Sequence, residues 1–194
     1  MPLTLTITKE ISPELLEKIV EMDHEAYPPE DQMTWEKAGM IYGLIKDSLI
    51  LLWDAEQLIG QLSIYGISPD LVQLAIKKQK PIFHVEEKRH LMAEITPPCD
   101  AYIQNIIIKP AYIGKGYRKY LLLGLKQWLQ THPGIRHVWA DAVSIHGQRS
   151  LQAIGLSPVP ALNGLWGGNI ETVHKTLSER LDGRDLDSNL TQVF

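Results

Sequence analysis

Several residue types and patterns are scarce in this chain of 194 residues, and each one argues against a particular structural feature or class of function. A single cysteine, Cys99, excludes an internal disulfide and suits a reducing compartment. The apolar runs, such as residues 49–53, are far too short to span a bilayer. The N-terminal stretch lacks a basic segment followed by an apolar one, so no signal peptide is predicted. We therefore expect a cytoplasmic protein with no membrane partner.

Basic charge is scarce as well. The 19 Lys and Arg residues are outnumbered by 23 Asp and Glu residues, which gives a net charge of −4 and argues against a nucleic-acid partner. The 7 histidines show no metal-ligand spacing, so no metal is predicted. There is no GxSxG sequence, which removes the signal for a serine-hydrolase triad. With 44% apolar residues, the chain has the composition of an ordinary globular domain.

What the chain does contain is a strand, a glycine loop and a helix in succession between residues 101 and 129. A run of isoleucines predicts a strand that Pro110 ends, and an apolar stripe from Tyr117 to Leu129 predicts the helix. Between them lie Gly114 and Gly116, which let the backbone curl close to a ligand at the positive end of the helix. The pattern predicts a phosphate or pyrophosphate site, although glycine pairs also occur in turns that bind nothing.

This stretch resembles motif A of the GNAT superfamily, the acyl-coenzyme A N-acyltransferases. In that family an apolar-x-apolar-x-Pro strand end precedes Arg/Gln-x-x-Gly-x-Gly/Ala and a helix. Residues 106–110 match the strand end and Gly116 matches the central glycine, whereas Ile113 replaces Arg or Gln and Arg118 replaces the final small residue. The resemblance implies acetyl-CoA, or a related acyl-CoA, as acyl donor. The implied contact residues are Ile106, Ile107, Ile108, Ile113, Gly114, Lys115, Gly116, Tyr117, Arg118 and Lys119.

The order of the other predicted elements agrees with that resemblance. A strand at 3–8, helices beginning at Ser12 and Thr34, and a hairpin of 48–53 with 58–65 precede motif A. A strand at 137–144, a helix at 146–154 and a last core strand at 170–177 follow it. The resemblance implies an α/β GNAT fold, with a mixed, mostly antiparallel sheet flanked by helices. We predict one domain at 1–177 and a polar tail at 178–194.

An insertion at about 68–98 has no counterpart in the minimal GNAT pattern. We predict one amphipathic helix after Pro69 and a second from Val85 to Ile95. The segment is locally basic, and two interpretations stay open. It is either a solvated helical face or a lid that shapes the acceptor side, because insertions on a rigid scaffold often carry specificity.

The helix at 146–154 resembles motif B of GNAT proteins, where Asn precedes a helix that ends in Tyr-x-x-x-Gly-Phe. Ser144 stands at the Asn position, Gly155 at the Gly position, and Leu151 at the Tyr position. In many GNAT enzymes that tyrosine protonates the departing thiolate, and leucine has no proton to give. Another group must therefore supply it, or the chain does not catalyse transfer.

Direct attack of an amine on a thioester needs a proton acceptor and donors for the oxyanion. A backbone N–H of residues 106–108 is a candidate oxyanion donor. The catalytic candidates are Asp141, Ser144 and His146, with a tie to a neighbouring loop as the alternative for Asp141. Tyr27, Glu30, Tyr102 and Gln104 are candidates for acceptor binding, with buried hydrogen bonding as the alternative for the last two.

The resemblance thus implies an N-acetyltransferase that moves an acyl group, other than an aminoacyl group, from acyl-CoA to an amine in a ternary complex. The acceptor is a small amine or a peptide or protein amine, and assembly into a homodimer stays open. The alternative function is a non-catalytic, regulatory module that binds coenzyme A.

Overall fold

The structure is a computed structural model that describes residues 3–97, 99–182 and 190–193. Its helices alternate with strands along the chain. The strands are β1 Leu3–Thr8, β2 Leu49–Asp54, β3 Gln57–Ile67, β4 Leu91–Met92, β5 Cys99–Ile108, β6 Ile135–Asp141, β7 Ser157–Pro158, β8 Leu165–Asn169 and β9 Leu190–Val193. The α-helices are α1 Pro13–Ala26, α2 Trp35–Leu44, α3 Pro69–Lys78, α4 Ile82–Val85, α5 Arg118–Thr131, α6 Ile145–Gln152 and α7 Ile170–Leu181. Short 3₁₀ helices cover Pro29–Asp31, Lys88–His90 and Pro110–Tyr112.

Within the described residues, the strands form one sheet in the order β7-β8-β6-β5-β3-β2-β1-β9, with β4 paired to β3. The pairs β5/β6 and β1/β9 are parallel, and the other pairs are antiparallel. The predicted α/β class with a mixed, mostly antiparallel sheet is confirmed. The parallel step from β5 to β6 requires a crossover, which α5 provides.

The helices cover both faces of the sheet, because alternate strand residues point to opposite sides. In β2, Ile50 and Leu52 pack in the cluster under α5, α6 and α7, whereas Leu49 and Leu51 pack in the cluster under α1 to α4. None of the described helices is long and apolar enough to cross a membrane.

The prediction of a strand at 170–177 is wrong, because these residues belong to α7. The Asn169 side chain accepts a hydrogen bond from the Thr172 N–H at 2.8 Å and so caps the helix. Val173, Leu177 and Leu181, spaced four residues apart, are the buried positions. The last core strand before the helix is β8. The predicted domain boundary at 177 falls inside α7, and residues 190–193 pair with β1. The rest of the predicted tail, residues 183–189 and 194, lies outside the described residues.

The predicted helix from Val85 to Ile95 is also wrong. Helix α4 ends at Val85, and the chain continues through the second 3₁₀ helix into β4, which pairs with β3. The predicted helix after Pro69 is present as α3. The insertion is not only a solvated face, because Leu71, Ala75 and Ile82 are fully buried in the core. It therefore contributes to the fold as well as to the surface.

Candidate functional site

A cleft opens where β5 and β6 separate. Their parallel pairing ends at Ile103 and Ala140. At the same level Gln104 forms a bulge against β3, because Ser63 pairs with Asn105 and Ile64 pairs with Ile103. A bulge bends its strand, which turns β5 away from β6. The resulting cleft has a volume of about 480 Å³ and is lined by residues 103–108 on one side and by 140–144 with α6 on the other.

The glycine loop lies at one end of this cleft. Gly114 and Gly116 have φ angles of +84° and +79°, a region that glycine adopts without strain. A side chain added at either glycine would meet no atom within 4 Å, so backbone conformation and not packing requires glycine here. Helix α5 then begins at Arg118 with no side chain hydrogen-bonded at its cap. The N–H groups of the glycine loop and the helix dipole make this terminus suitable for an anion.

A cavity of about 330 Å³ adjoins the loop, and basic side chains line it. Arg118 and Lys119 come from α5, as the sequence predicts, and Arg180 comes from α7 on the opposite wall. The predicted contact residue Ile113 also lines the cavity, although 68% of its surface is exposed. Arg180 was missed, because nothing in its local sequence distinguishes it from an ordinary exposed helix residue.

Arg118 connects the two walls of the cleft. Its Nη1 donates to the Ser150 hydroxyl of α6 at 2.8 Å, and Ser150 in turn donates to the His146 carbonyl at 2.7 Å. Arg118 lines both the loop cavity and the main cleft. Arg118, which stands where motif A usually has Gly or Ala, therefore links α5 to α6.

At the other end of the cleft, a small cavity of about 40 Å³ lies between carboxylates and aromatic rings. Asp141 is on its wall and accepts two hydrogen bonds at Oδ2. The Tyr102 hydroxyl donates at 2.8 Å and the Phe83 N–H donates at 3.2 Å. The tie to a neighbouring loop, left open for Asp141, is thus observed, and the same carboxylate also lines the main cleft. Asp23, Tyr27, Asp31, Pro81, His84, Gln104 and Val143 complete the lining.

Burial raises the pKa of Asp141 above its ordinary value, and the hydrogen bonds from Tyr102 and Phe83 oppose this effect without cancelling it. Burial also raises the pKa of Tyr102, and the adjacent Asp141 charge adds to the increase. A carboxylate with a raised pKa binds a proton more strongly than an exposed one does. Asp141 is therefore suited to accepting a proton from a bound group.

A second polar network stands behind Asp141. Lys37 of α2 pairs with Glu86 at 3.0 Å, and the Tyr65 hydroxyl donates to the other oxygen of Glu86 at 2.7 Å. Lys37 Nζ also donates to the Phe83 carbonyl and lies 3.4 Å from the centre of the Phe83 ring. Lys37 and Glu86 are 49 positions apart in the sequence. No local pattern could indicate that they meet.

The other candidate side chains are placed as follows. Ser144 lines the cleft, and its oxygen caps α6 by accepting from the Gly147 N–H at 3.0 Å. His146 is exposed and lines the same cleft. Tyr27 lines both the small cavity and the main cleft, and its hydroxyl accepts a hydrogen bond from the Ile106 N–H. Glu30 is exposed and lines none of the three described cavities.

Two further residues bear on the predicted chemistry. Leu151 is 4% exposed, belongs to the core under α5 to α7, and also lines the cleft. Gln104 accepts hydrogen bonds at Oε1 from Ser63 at 3.3 Å and from Tyr42 at 3.5 Å, as expected for buried hydrogen bonding. Its Nε2 is buried with no partner among the described residues. In the described part of the chain, no three His, Cys, Asp or Glu side chains are grouped as metal ligands.

The sheet order, the separated strands and the glycine loop define a GNAT fold, and comparison with solved structures agrees. NAA60 of Arabidopsis thaliana in complex with acetyl-CoA is 14% identical, with a TM-score of 0.59 over 87% of this chain and 99% of that one. The PaiA N-acetyltransferase of Thermoplasma acidophilum in complex with coenzyme A is 15% identical, with a TM-score of 0.55 over 87% and 99%.

The GphF GNAT-like decarboxylase in complex with isobutyryl-CoA is also similar, at 14% identity and a TM-score of 0.54 over 74% of this chain and 70% of that one. No protein-family model and no curated protein matches the chain in sequence. At these identities the likeness establishes the fold. The chemistry must be argued from the side chains.

Proposed function

We propose that this protein is an N-acyltransferase that moves an acetyl or related acyl group from acyl-CoA to an amine. The single observation that carries the proposal is the cleft between β5 and β6, with a glycine loop at a helix N-terminus at one end and the half-buried carboxylate of Asp141 at the other. Similar folds with coenzyme A or acetyl-CoA bound support it. The single free cysteine is consistent with a cytosolic location.

Each part of the donor has a matching part of the cleft. The pyrophosphate would lie against the N–H groups of residues 114–118, where Arg118 and Arg180 add charge. Beyond Ile103, the edge of β5 no longer pairs with β6, so an amide-containing linker can hydrogen-bond there as an added strand. This arrangement directs the thioester towards Asp141.

Asp141 then acts as the proton acceptor. A neutral amine attacks the thioester carbonyl, and the tetrahedral intermediate passes its extra proton to Asp141 directly or through water. The proposed oxyanion donor is the Ile106 N–H, which donates to the Tyr27 hydroxyl in this structure, and the oxyanion would take the place of that hydroxyl. Because Leu151 offers no proton, water or the protonated Asp141 delivers one to the departing thiolate.

The size and lining of the acceptor cavity favour an amine carried on a narrow chain. A volume of about 40 Å³ accommodates a primary amine and excludes a bulky centre. Both a small aliphatic amine and an exposed lysine or N-terminus of a protein meet this condition. The aromatic and acidic walls attract an amine in its protonated form, which gives its first proton to solvent water before the neutral amine attacks.

Turnover of acetyl-CoA with a panel of amines, followed by thiol release, tests the proposal. The panel should contain small diamines, lysine and short peptides with free N-termini. Amine-dependent thiol release supports the function. The second candidate is a module that binds coenzyme A without catalysis, which Leu151 at the usual tyrosine position favours. Tight binding of coenzyme A without release from any amine would establish that candidate instead.

A further inference from the structure

We propose that Lys37 is a positioning residue that holds Phe83 of the insertion against Asp141 and stabilises the Asp141 carboxylate through its charge. The proposal rests on the proposed function for its catalytic meaning, but its geometry is independent of any reaction. Lys37 lies on α2, Phe83 on α4 and Asp141 at the end of β6. Hydrogen bonds from Lys37 to Phe83 and from Phe83 to Asp141 therefore connect three elements that are far apart in the sequence.

The first step is mechanical. Lys37 Nζ donates to the Phe83 carbonyl and contacts the Phe83 ring face, while the Phe83 N–H donates to Asp141 Oδ2 at 3.2 Å. One residue of the insertion is thus bound through its carbonyl on one side and through its N–H on the other. Moving Lys37 would release Phe83, and Asp141 would then lose one of its donors.

The second step concerns the anchor of Lys37. Glu86 Oε1 lies 3.0 Å from Lys37 Nζ, and the Glu86 side chain is fully buried. The Tyr65 hydroxyl holds the second oxygen of Glu86. A buried carboxylate needs a charged or hydrogen-bonded partner, so the ammonium is restrained to this position. If Lys37 rotated into solvent, Glu86 would keep the Tyr65 hydroxyl but would have no cation beside its buried charge.

The third step is electrostatic. Attraction to Glu86 and to Asp141 raises the pKa of Lys37, and burial, the larger effect, lowers it. By reciprocity the ammonium favours the ionised form of Asp141. The Glu86 charge acts in the opposite direction, since the two carboxylates raise each other's pKa. The other titratable groups near Asp141 are Tyr102 from β5, His84 from α4, and Asp23, Tyr27 and Asp31 across the cavity.

The structure therefore assigns the insertion a specific contribution at the acceptor end. Pro81, Phe83 and His84 form one wall of the small cavity, and the Lys37–Glu86 pair fixes that wall to the core. Loss of the pair should change how the acceptor binds and how strongly Asp141 holds its proton. It should leave the donor unaffected, because no part of the pair lines the loop cavity.

A matched pair of variants isolates the contribution of the Lys37 ammonium group. Glu86→Gln keeps Lys37 and removes the buried carboxylate, and Lys37→Met with Glu86→Gln removes both charges, so neither variant leaves Glu86 unpaired. Carbon-13 NMR of the Asp141 carboxyl group gives its titration midpoint in each. We expect the midpoint to be about one pH unit higher in the double variant, because an opposite charge is lost and the Phe83 donor is no longer held. Lys37→Gln replaces Lys37→Met if that variant does not fold.

Kinetics add a second readout. The double variant should show a rise of about tenfold in acceptor KM, with the dissociation constant for coenzyme A unchanged. Equal Asp141 midpoints in the two folded variants would overturn the proposal, as would equal loss of acceptor and coenzyme A binding. The midpoint does not depend on turnover. If wild type transfers no acyl group, the proposed function fails while the link from Lys37 to Asp141 is still decided.

Discussion

The two ends of the cleft are built in different ways. The proposed loop site would be a backbone site, because positive φ angles at Gly114 and Gly116 and a helix terminus without a side-chain cap would provide its binding groups, and Arg118 and Arg180 beside it are exposed. The acceptor end is built from side chains, in which the half-buried Asp141 accepts hydrogen bonds from the buried Tyr102 and from the Phe83 N–H. A backbone site tolerates changes such as Ile113 in place of Arg or Gln. A side-chain site should not tolerate the loss of one group.

The largest expected effect is at the acceptor end. Asp141→Asn keeps the shape and an acceptor oxygen for Tyr102 but removes the base, so kcat should fall by about 10²–10⁴-fold. The affinity for coenzyme A should not change. Tyr102→Phe serves as the matched control, since it removes a donor and leaves the carboxylate. A wild-type kcat in folded Asp141→Asn would remove Asp141 from the mechanism.

The pH dependence follows from the same carboxyl group. Its pKa is raised in the folded protein, and only the ionised form accepts a proton. In the wild type, kcat/KM should rise as pH increases through a midpoint above the ordinary range for aspartate. Because the folded state favours the protonated form, this group stabilises the fold below its ordinary pKa, and that contribution is lost as pH rises through the raised value.

The difference between the two ends also decided what could be predicted from sequence. The loop end lies within about 30 consecutive residues, and its glycines and helix stripe are local signals that motif A makes specific. The acceptor end is assembled from α1, the 3₁₀ helix Pro29–Asp31, α4, β5 and β6, so only its individual residues could be named. Asp141 was identified as the carboxylate inside its strand. Its partner Phe83, and Lys37, which binds the Phe83 carbonyl, were not identified. Contacts between residues about 50 positions apart leave no periodic pattern in the sequence.

The wrong strand at 170–177 has a different cause. Isoleucine, threonine and valine favoured a strand by propensity, but the Asn169 cap and the spacing of Val173 and Leu177 were legible helix signals. The true strand, β8, contains Gly167, which argues against a strand by propensity. A side chain there would meet the Trp139 ring at 2.4 Å, so tertiary contact requires glycine. Local cap and spacing signals determine α7, whereas packing across the sheet outweighs strand propensity at Gly167.

The next largest effect is expected in the middle of the cleft, at Leu151. Leu151 is buried in the core and also lines the cleft, so Leu151→Tyr forces a larger ring into a packed site. We expect a loss of about 1–3 kcal/mol in the free energy of unfolding, measured by thermal or denaturant unfolding. Leu151→Phe should lose a similar amount, which makes it the control for the hydroxyl. Retained stability with faster turnover only in the tyrosine variant would show that the position faces the thiolate.

At the loop end, adding a negative charge should weaken coenzyme A binding more than adding an uncharged side chain. Gly116→Asp places a carboxylate where the pyrophosphate would lie, and we expect coenzyme A affinity to fall about tenfold, or about 1.4 kcal/mol. Gly116→Ala is the matched control, because it shares the backbone strain at a φ of +79° and adds no charge. The two variants are compared by calorimetry. Equal losses would mean that conformation alone is limiting, and unchanged binding in folded Gly116→Asp would move the donor site elsewhere.

The smallest effect concerns Arg180, the exposed cation on the far wall of the loop cavity. An exposed charge near a bound phosphate contributes about 0.2–1 kcal/mol, so Arg180→Met should weaken coenzyme A binding by about twofold to fivefold. The loss should shrink as ionic strength rises, because salt screens exposed charges, whereas the effect of Gly116→Ala should persist. Lys175→Met on the same helix is the control, since Lys175 pairs with Glu179 and does not line the cavity. If both variants weaken binding equally, the general charge of α7 is responsible and Arg180 has no specific place in the site.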